Sequence, residues 1–217
     1  MCGIAGSFNS EKAFKLYQSN LDRGFYSSGS IVIDSNNMWS CKKTLGQFKE
    51  PIEAYSPPGI ATTGLYYLYH SRGPTTETKE FNESNNHPFF YKDWIIAHNG
   101  IISNFEELCK KYFPEEDFTG RTDSCIIPRL LSIKPMKDTL EELKGTFALW
   151  LWSPYSKGVY ICRSGVTLFA NEDTGEFCST EFEGSKAIEE GYLYKIENYN
   201  KIYKSIPFKH KSPYFVF

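Results

Sequence analysis

The sequence predicts an α+β fold in which antiparallel sheets are covered by helices. Three observations carry that expectation. Short β segments joined by turn signals come in groups, and helical periodicity is confined to stretches inserted between those groups. Aromatic residues make up 17% of the 217 residues, and bulky rings suit pleated sheets, while 41% hydrophobic and 23% charged residues are ordinary for a globular chain. No Pro-, Gly- or Ser-rich linker divides the chain, so 1–217 reads as one domain with mass enough for a sizeable core.

In order, residues 2–8 are an apolar strand. An amphipathic helix over 11–23 follows, because Ala13, Phe14, Leu16, Tyr17 and Leu21 recur at helical spacing behind Ser10 as N-cap. A hairpin joins 30–34 to 38–43 around Asn36-Asn37, and Pro51, Pro57 and Pro58 mark 48–59 as a loop. A Thr/Tyr-rich strand over 60–71 ends in the polar cluster Ser71-Arg72-Gly73-Pro74-Thr75-Thr76. The Asn-rich run within 79–87 reads as a polar surface excursion, and 88–98 as two aromatic strands ended by Asn99-Gly100. Ser103 or Asn104 caps a helix over 105–112, Thr122-Asp123 caps another over 124–132, and a third starts within 139–144. Four short strands follow at 146–153, 158–163, 168–171 and 177–179.

A formal charge of -2 and a pI near 6.1 exert no general pull on nucleic acid, and Lys201, Lys204, Lys209, His210 and Lys211 read as a solvated basic end. No apolar run approaches the ~18 residues of a membrane span, and the first residues lack the basic and apolar regions of a signal peptide. The expected compartment is cytoplasmic. Cys2, Cys41, Cys109, Cys125, Cys162 and Cys178 are scattered, with no Cys-x-x-Cys pair and no His at zinc-finger spacing, so neither a disulfide framework nor a metal site is indicated. No cofactor is expected either.

Five places carry chemistry. Loss of Met1 would leave a thiol and an amine on Cys2, and an amine with a pKa of ~8 can take the thiol proton directly or through a water. Arg72, followed by hydroxyls at Thr75 and Thr76, suits a carboxylate because its fork meets both oxygens, although a surface ion pair would use the same residue. In His98-Asn99-Gly100, a side-chain amide beside a glycine N–H offers two donors for an oxyanion, while Asn-Gly is equally the commonest type I′ hairpin turn. His98 could be a general base or a packed, satisfied histidine. Asp123 could bind a ligand ammonium, cap a helix, or both. The loop Arg23-Gly24-Phe25-Tyr26-Ser27-Ser28-Gly29 shapes a pocket floor or is simply a turn.

Taken in order, these segments resemble the glutamine amidotransferases of the N-terminal nucleophile class, the class II or purF-type domains. Cys2-Gly3-Ile4-x-Gly6 is similar to the family's opening; Arg23-Gly24-x-x-Ser27-Ser28-Gly29 to its Arg-Gly loop; His70-Ser71-Arg72-Gly73-Pro74-Thr75 to its His-x-Arg-x-x-Thr segment. His87-Pro88, then Ala97-His98-Asn99-Gly100-Ile101-Ile102-x-Asn104-Phe105-x-Glu107-Leu108, resembles its most distinctive stretch, and Thr122-Asp123-Ser124 its Thr-Asp-Thr/Ser. Leu143-Lys144-Gly145-Thr146-Phe147-Ala148 extends the likeness through most of the chain.

The resemblance implies a four-layer αββα sandwich of two antiparallel sheets. It implies L-glutamine as substrate, Cys2 as nucleophile with its own α-amine as base, and Asn99 with the Gly100 N–H as oxyanion donors. Arg72 and Thr75 would bind the α-carboxylate and Asp123 the α-ammonium, with Arg23, Gly24 and His98 in support. The chain departs from the family at Tyr26, which stands for an Asp, at Gly73, which stands for an aromatic residue, and at Thr76, where some relatives have His. With no separate synthase domain expected within 1–217, the ammonia would go to a separate synthetase or transferase. A stand-alone amidohydrolase on another γ-glutamyl or amide substrate, and a catalytically silent binding module, are the alternative readings.

Overall fold

The computed structural model describes residues 1–53, 66–73, 82–156, 158–197 and 201–210. The order of elements is β1 (Gly3–Ser7), α1 (Ser10–Ser19), β2 (Ser27–Ile33), β3 (Trp39–Leu45), β4 (Tyr66–Arg72), β5 (Phe89–Tyr91), β6 (Trp94–Ile102), α2 (Phe105–Tyr112), α3 (Ile126–Leu131) and α4 (Met136–Glu142). Then come β7 (Gly145–Trp152), β8 (Val159–Ser164), β9 (Phe169–Asn171), β10 (Glu176–Cys178), β11 (Lys186–Ala187), β12 (Tyr192–Glu197) and β13 (Lys201–Pro207). Every strand pairing among them is antiparallel. Sheet A runs β11-β9-β10-β1-β4-β2-β3 and sheet B runs β13-β12-β8-β7-β6-β5.

Strand alternation builds the layers. Along β7, Ala148, Trp150 and Trp152 join Ile4, Ile31, Tyr66 and Leu68 of sheet A in a core between the sheets. The intervening Phe147, Leu149 and Leu151 pack on Leu108, Ile126, Ile127, Leu130 and Leu140 from the helices over sheet B. On sheet A, Val32, Tyr67 and Tyr69 face Ala13, Phe14 and Tyr17 of α1. Both faces of each sheet are thus covered, in the order α1, sheet A, sheet B, α2 to α4, and the αββα sandwich is the observed fold.

Several boundaries differ from expectation. Asn99-Gly100 is not a turn: β6 runs through both residues in unbroken register with β7, and the β5–β6 turn falls at Lys92, whose φ is 49°. The cap of α1 is Asn9, whose side chain accepts from the Lys12 N–H at 2.9 Å, and the helix ends at Ser19 before a 3₁₀ turn over Leu21–Arg23. Asn104 stands before α2, but its amide bridges Glu142 O and the Lys144 N–H instead of capping. The helix expected over 124–132 is a 3₁₀ turn, Asp123–Cys125, running into α3, and Thr122 makes no side-chain cap. The third helix starts earlier, at Met136 behind Pro135.

The basic end is solvated at Lys201, Lys204 and Lys209, but it is a strand and not a tail: β13 pairs with β12, β12 pairs with β8, and Lys204 forms an ion pair with Glu189, while Lys211 lies outside the described residues. Cys109, Cys125, Cys162 and Cys178 are buried, while Cys41 is exposed. Among the described residues no helix is long and apolar enough to cross a membrane. The expected strand over 60–71 is seen from Tyr66; its earlier residues lie outside the described ones, as do Thr75 and Thr76.

Candidate active site

Alternation also aims the polar ends of the strands. Ile4 faces the inter-sheet core, so Cys2, two residues earlier, points the same way; so do His70 and Arg72 after Leu68, and Asn99 after Ala97. Where the apolar core stops lies one cavity of about 1530 Å³, which Cys2, Arg72, His98, Asn99, Gly100 and Asp123 all line. Thr146, Val166, Asn82, Glu83, Asn85 and Arg121 also line it.

The Cys2 thiol is half-buried, with Sγ 3.8 Å from the Gly73 carbonyl, and Arg23 Nε donates to the Cys2 carbonyl at 3.0 Å. Burial pushes the thiol above its usual range, and the chain's amino terminus and the Arg72 guanidinium offset part of that rise. Gly24 and Gly73 are here because of close approach. A Cβ on Gly24 would fall 2.2 Å from the Gly73 nitrogen, and one on Gly73 2.4 Å from the Met1 carbonyl oxygen. Met1 therefore occupies the space where an aromatic side chain at 73 would begin.

Arg72 ends β4 and is only 8% exposed. Its Nη1 donates to Asn85 O at 3.0 Å and to Asn86 Oδ1 at 2.8 Å, and its guanidinium lies 5.8 Å from the centre of the Tyr26 ring. Tyr26 thus supports the guanidinium through its ring face instead of through a carboxylate. The Tyr26 hydroxyl itself is buried without a partner among the described residues.

On the facing sheet, the Asn99 side-chain amide nitrogen is buried and unpartnered among the described residues. Ser103 N–H bonds to Lys144 O beside β7, whereas the Ile102 N–H turns away to Asp123 Oδ2 at 2.6 Å and the His98 carbonyl turns away to His70 Nε2 at 3.3 Å. By that alternation the Gly100 N–H lies on the edge of β6 that β5, ending its pairing at Ile96, leaves open. Gly100 has φ of 144°, and a Cβ there would fall 2.0 Å from Thr146 O, so only glycine fits.

His98 is the packed, satisfied histidine. Its Nδ1 is 2.9 Å from Ser124 Oγ, which in turn is 3.3 Å from Asp123 Oδ1, and burial lowers its pKa although the Asp123 carboxylate pulls the other way. His70 and His87 pack beside it, their rings tilted by 32° with centroids 3.9 Å apart. Burial drives His70 down to about 3 and His87 well below the usual range, so all three imidazoles are neutral at pH 7. Sequence reasoning missed His87 and Asn85 as cavity groups; the His87-Pro88 pair was the only signal at hand.

A family model described as a glutamine amidotransferase domain matches residues 77–181. A 7-cyano-7-deazaguanine synthase from Saccharolobus solfataricus is 32% identical over 165 residues, covering 69% of this chain and 35% of that protein. The chain carries a class II glutamine amidotransferase domain. A glutamine–fructose-6-phosphate aminotransferase from Wigglesworthia glossinidia brevipalpis is 30% identical over 167 residues, 72% of this chain and 26% of that protein. The domain thus spans about a third or less of the length of these curated relatives. Its fold is shared with the glutamine phosphoribosylpyrophosphate amidotransferase of B. subtilis at TM-score 0.70 and 17% identity, over 97% of this chain and 51% of that one.

Proposed function

We propose that this amidotransferase domain hydrolyses L-glutamine to L-glutamate and ammonia through a γ-glutamyl thioester on Cys2, once Met1 has been removed. The observation that carries the reading is the convergence of Cys2, Arg72, Asn99, Gly100 and Asp123 on one cavity, with the Asn99 amide nitrogen buried and unpartnered among the described residues. The Cys2 α-amine takes the thiol proton as sulfur attacks the side-chain amide carbon. The developing oxyanion receives the Asn99 amide and the Gly100 N–H, and the amine hands its proton to the departing nitrogen, which leaves as ammonia. Water then attacks the thioester, its proton passing through the amine to the sulfur, and glutamate is released.

Arg72 holds the α-carboxylate by the guanidinium edge that Asn85 and Asn86 do not use, and Asp123 holds the α-ammonium. Arg23 steadies the Cys2 carbonyl. The relatives are named as a synthase and an aminotransferase and extend well beyond the stretch matched here, which supports transfer of the ammonia to an acceptor site outside this domain, on a further domain or a partner enzyme.

Intact mass tests the central step. Mature chains should begin at Cys2 and gain one equivalent of diazo-oxo-norleucine, a glutamine affinity label, with glutamine protecting. Chains that keep Met1 in cells, or labelling that glutamine does not slow, would overturn the mechanism. Because burial holds the thiol high while Met1 is attached, the pH midpoint of Cys2 alkylation should move down when Met1 leaves and a charged amine sits on the same residue.

A further inference from the structure

The segment 82–86, which in the sequence is no more than a polar run, connects the two walls of the cavity. Asn86 is 1% exposed, and every polar end of its side chain is used. Its Oδ1 accepts from Arg72 Nη1 at 2.8 Å and from Ser27 Oγ at 2.5 Å, and its Nδ2 donates to Asn82 O at 2.5 Å. Asn82 Oδ1 in turn accepts from the Ser84 N–H at 2.9 Å and closes the 3₁₀ turn Glu83–Asn85. Asn85 reaches the other way: its carbonyl accepts from Arg72 Nη1 at 3.0 Å, its Nδ2 donates to Gly120 O at 2.6 Å, and its Oδ1 accepts from the Thr122 N–H at 3.4 Å. Thr122 precedes Asp123, which is fixed in turn by the Ile102 N–H.

We propose that the asparagine segment 82–86 is a positioning element that sets the separation between Arg72 and Asp123, and thereby selects ligands whose carboxylate and ammonium stand on the same carbon. This rests on the reading of Arg72 and Asp123 as the two charged receptors. The physical basis is that a long Arg side chain on a strand end has several rotamers, and two acceptors from one loop leave it one. The same loop is bonded to the backbone next to Asp123, so the receptors cannot drift apart independently. Asn suits the task because its amide accepts from Arg72 without neutralising it, whereas a carboxylate would compete with the ligand for the guanidinium.

The test uses the Met1-free chain and two variants. Asn86→Asp keeps an acceptor for Arg72, and Asn85→Ala, at a half-buried position, removes only the ties to Gly120 and Thr122. Each should raise KM for L-glutamine about tenfold or more while kcat moves much less, as loss of one charge-assisted contact on a binding group implies. The preference for L-glutamine over L-β-homoglutamine, whose amine is one carbon further from the carboxylate, should shrink in Asn85→Ala.

Equal losses in kcat and KM with an unchanged preference would mark a merely structural role and overturn the proposal. So would an Asn86→Asp chain with wild-type KM. Arg72→Ala run in parallel separates the two levels. If it leaves glutamine binding intact, the receptor reading fails; if it impairs binding while both asparagine variants do not, only the positioning role fails.

Discussion

On the wall of the cavity built from sheet A, the Arg72 guanidinium is held by Asn85 and Asn86 and rests against Tyr26, and the Cys2 carbonyl is held by Arg23. On the wall built from sheet B, the Asn99 amide nitrogen is buried with no partner among the described residues, and the Gly100 N–H lies on the strand edge that β5 leaves unpaired. On the proposed reading the first wall, already hydrogen-bonded within the protein, serves ground-state recognition. On the same reading the second keeps the Asn99 amide idle at a cost of about 1–3 kcal/mol and recovers it only when negative charge appears opposite it. Binding and rate should therefore separate by wall.

The largest effect comes from the residue both walls serve. Cys2→Ala should abolish glutamine hydrolysis, a loss on the order of 10⁶ in kcat where a nucleophile is removed, while glutamate still binds, as calorimetry would show. Next is the sheet B wall: Asn99→Ala should lower kcat by ~10²- to 10³-fold, with KM little changed and thermal stability unchanged or raised, since the lost amide nitrogen had no partner. A drop in stability with unchanged kcat would erase the contrast. On the sheet A wall, Arg72→Ala should do the reverse, raising KM strongly and costing about 1–3 kcal/mol in urea unfolding, because Asn85 O and Asn86 Oδ1 lose their buried donor.

Acid should act between the walls, on the neutral histidines. His70, His87 and His98 have folded pKa values below the unfolded ~6.5, so the unfolded chain binds more protons below that pH. Stability should hold above pH 7 and fall as pH drops from about 6.5 toward 3, by up to about 1.4 kcal/mol per unit for each histidine. Urea midpoints at pH 7.5 and 5 check the slope, and His70→Asn should flatten it. Smallest of all, Tyr26→Phe should leave KM within about twofold and raise stability slightly, because the ring face stays over Arg72 and only an unpartnered hydroxyl goes.

How much of this was legible in the chain varies by residue. The thiol at position 2, the Arg72 cluster and Asp123 could be named from residue type alone, and most strands were found because alternation is a local property. The Asn99-Gly100 pair could not be assigned locally, since the same dipeptide makes a turn or two donors; eight residues of register with β7 decide it. Strands β12 and β13 were missed because lysines at Lys195, Lys201 and Lys204 break their apolar runs, and only pairing to β8 shows that they close the sheet. The role of 82–86 had no local signal at all: asparagines that bond to other loops look the same in sequence as asparagines that bond to water.

What the sequence determined by itself is the inventory: a soft nucleophile, a fork, an amide next to a glycine, a carboxylate, and strands and helices in nearly the right places. The tertiary structure decided their convergence. Alternation tells which side of a strand a residue faces, but only the pairing of β1 with β4 and of β6 with β7, and the stacking of the two sheets, brings residues 2, 72, 99 and 123 to one cavity. Burial, which moves the cysteine and histidine pKa values and leaves Asn99 without water, is likewise a property of the packed chain.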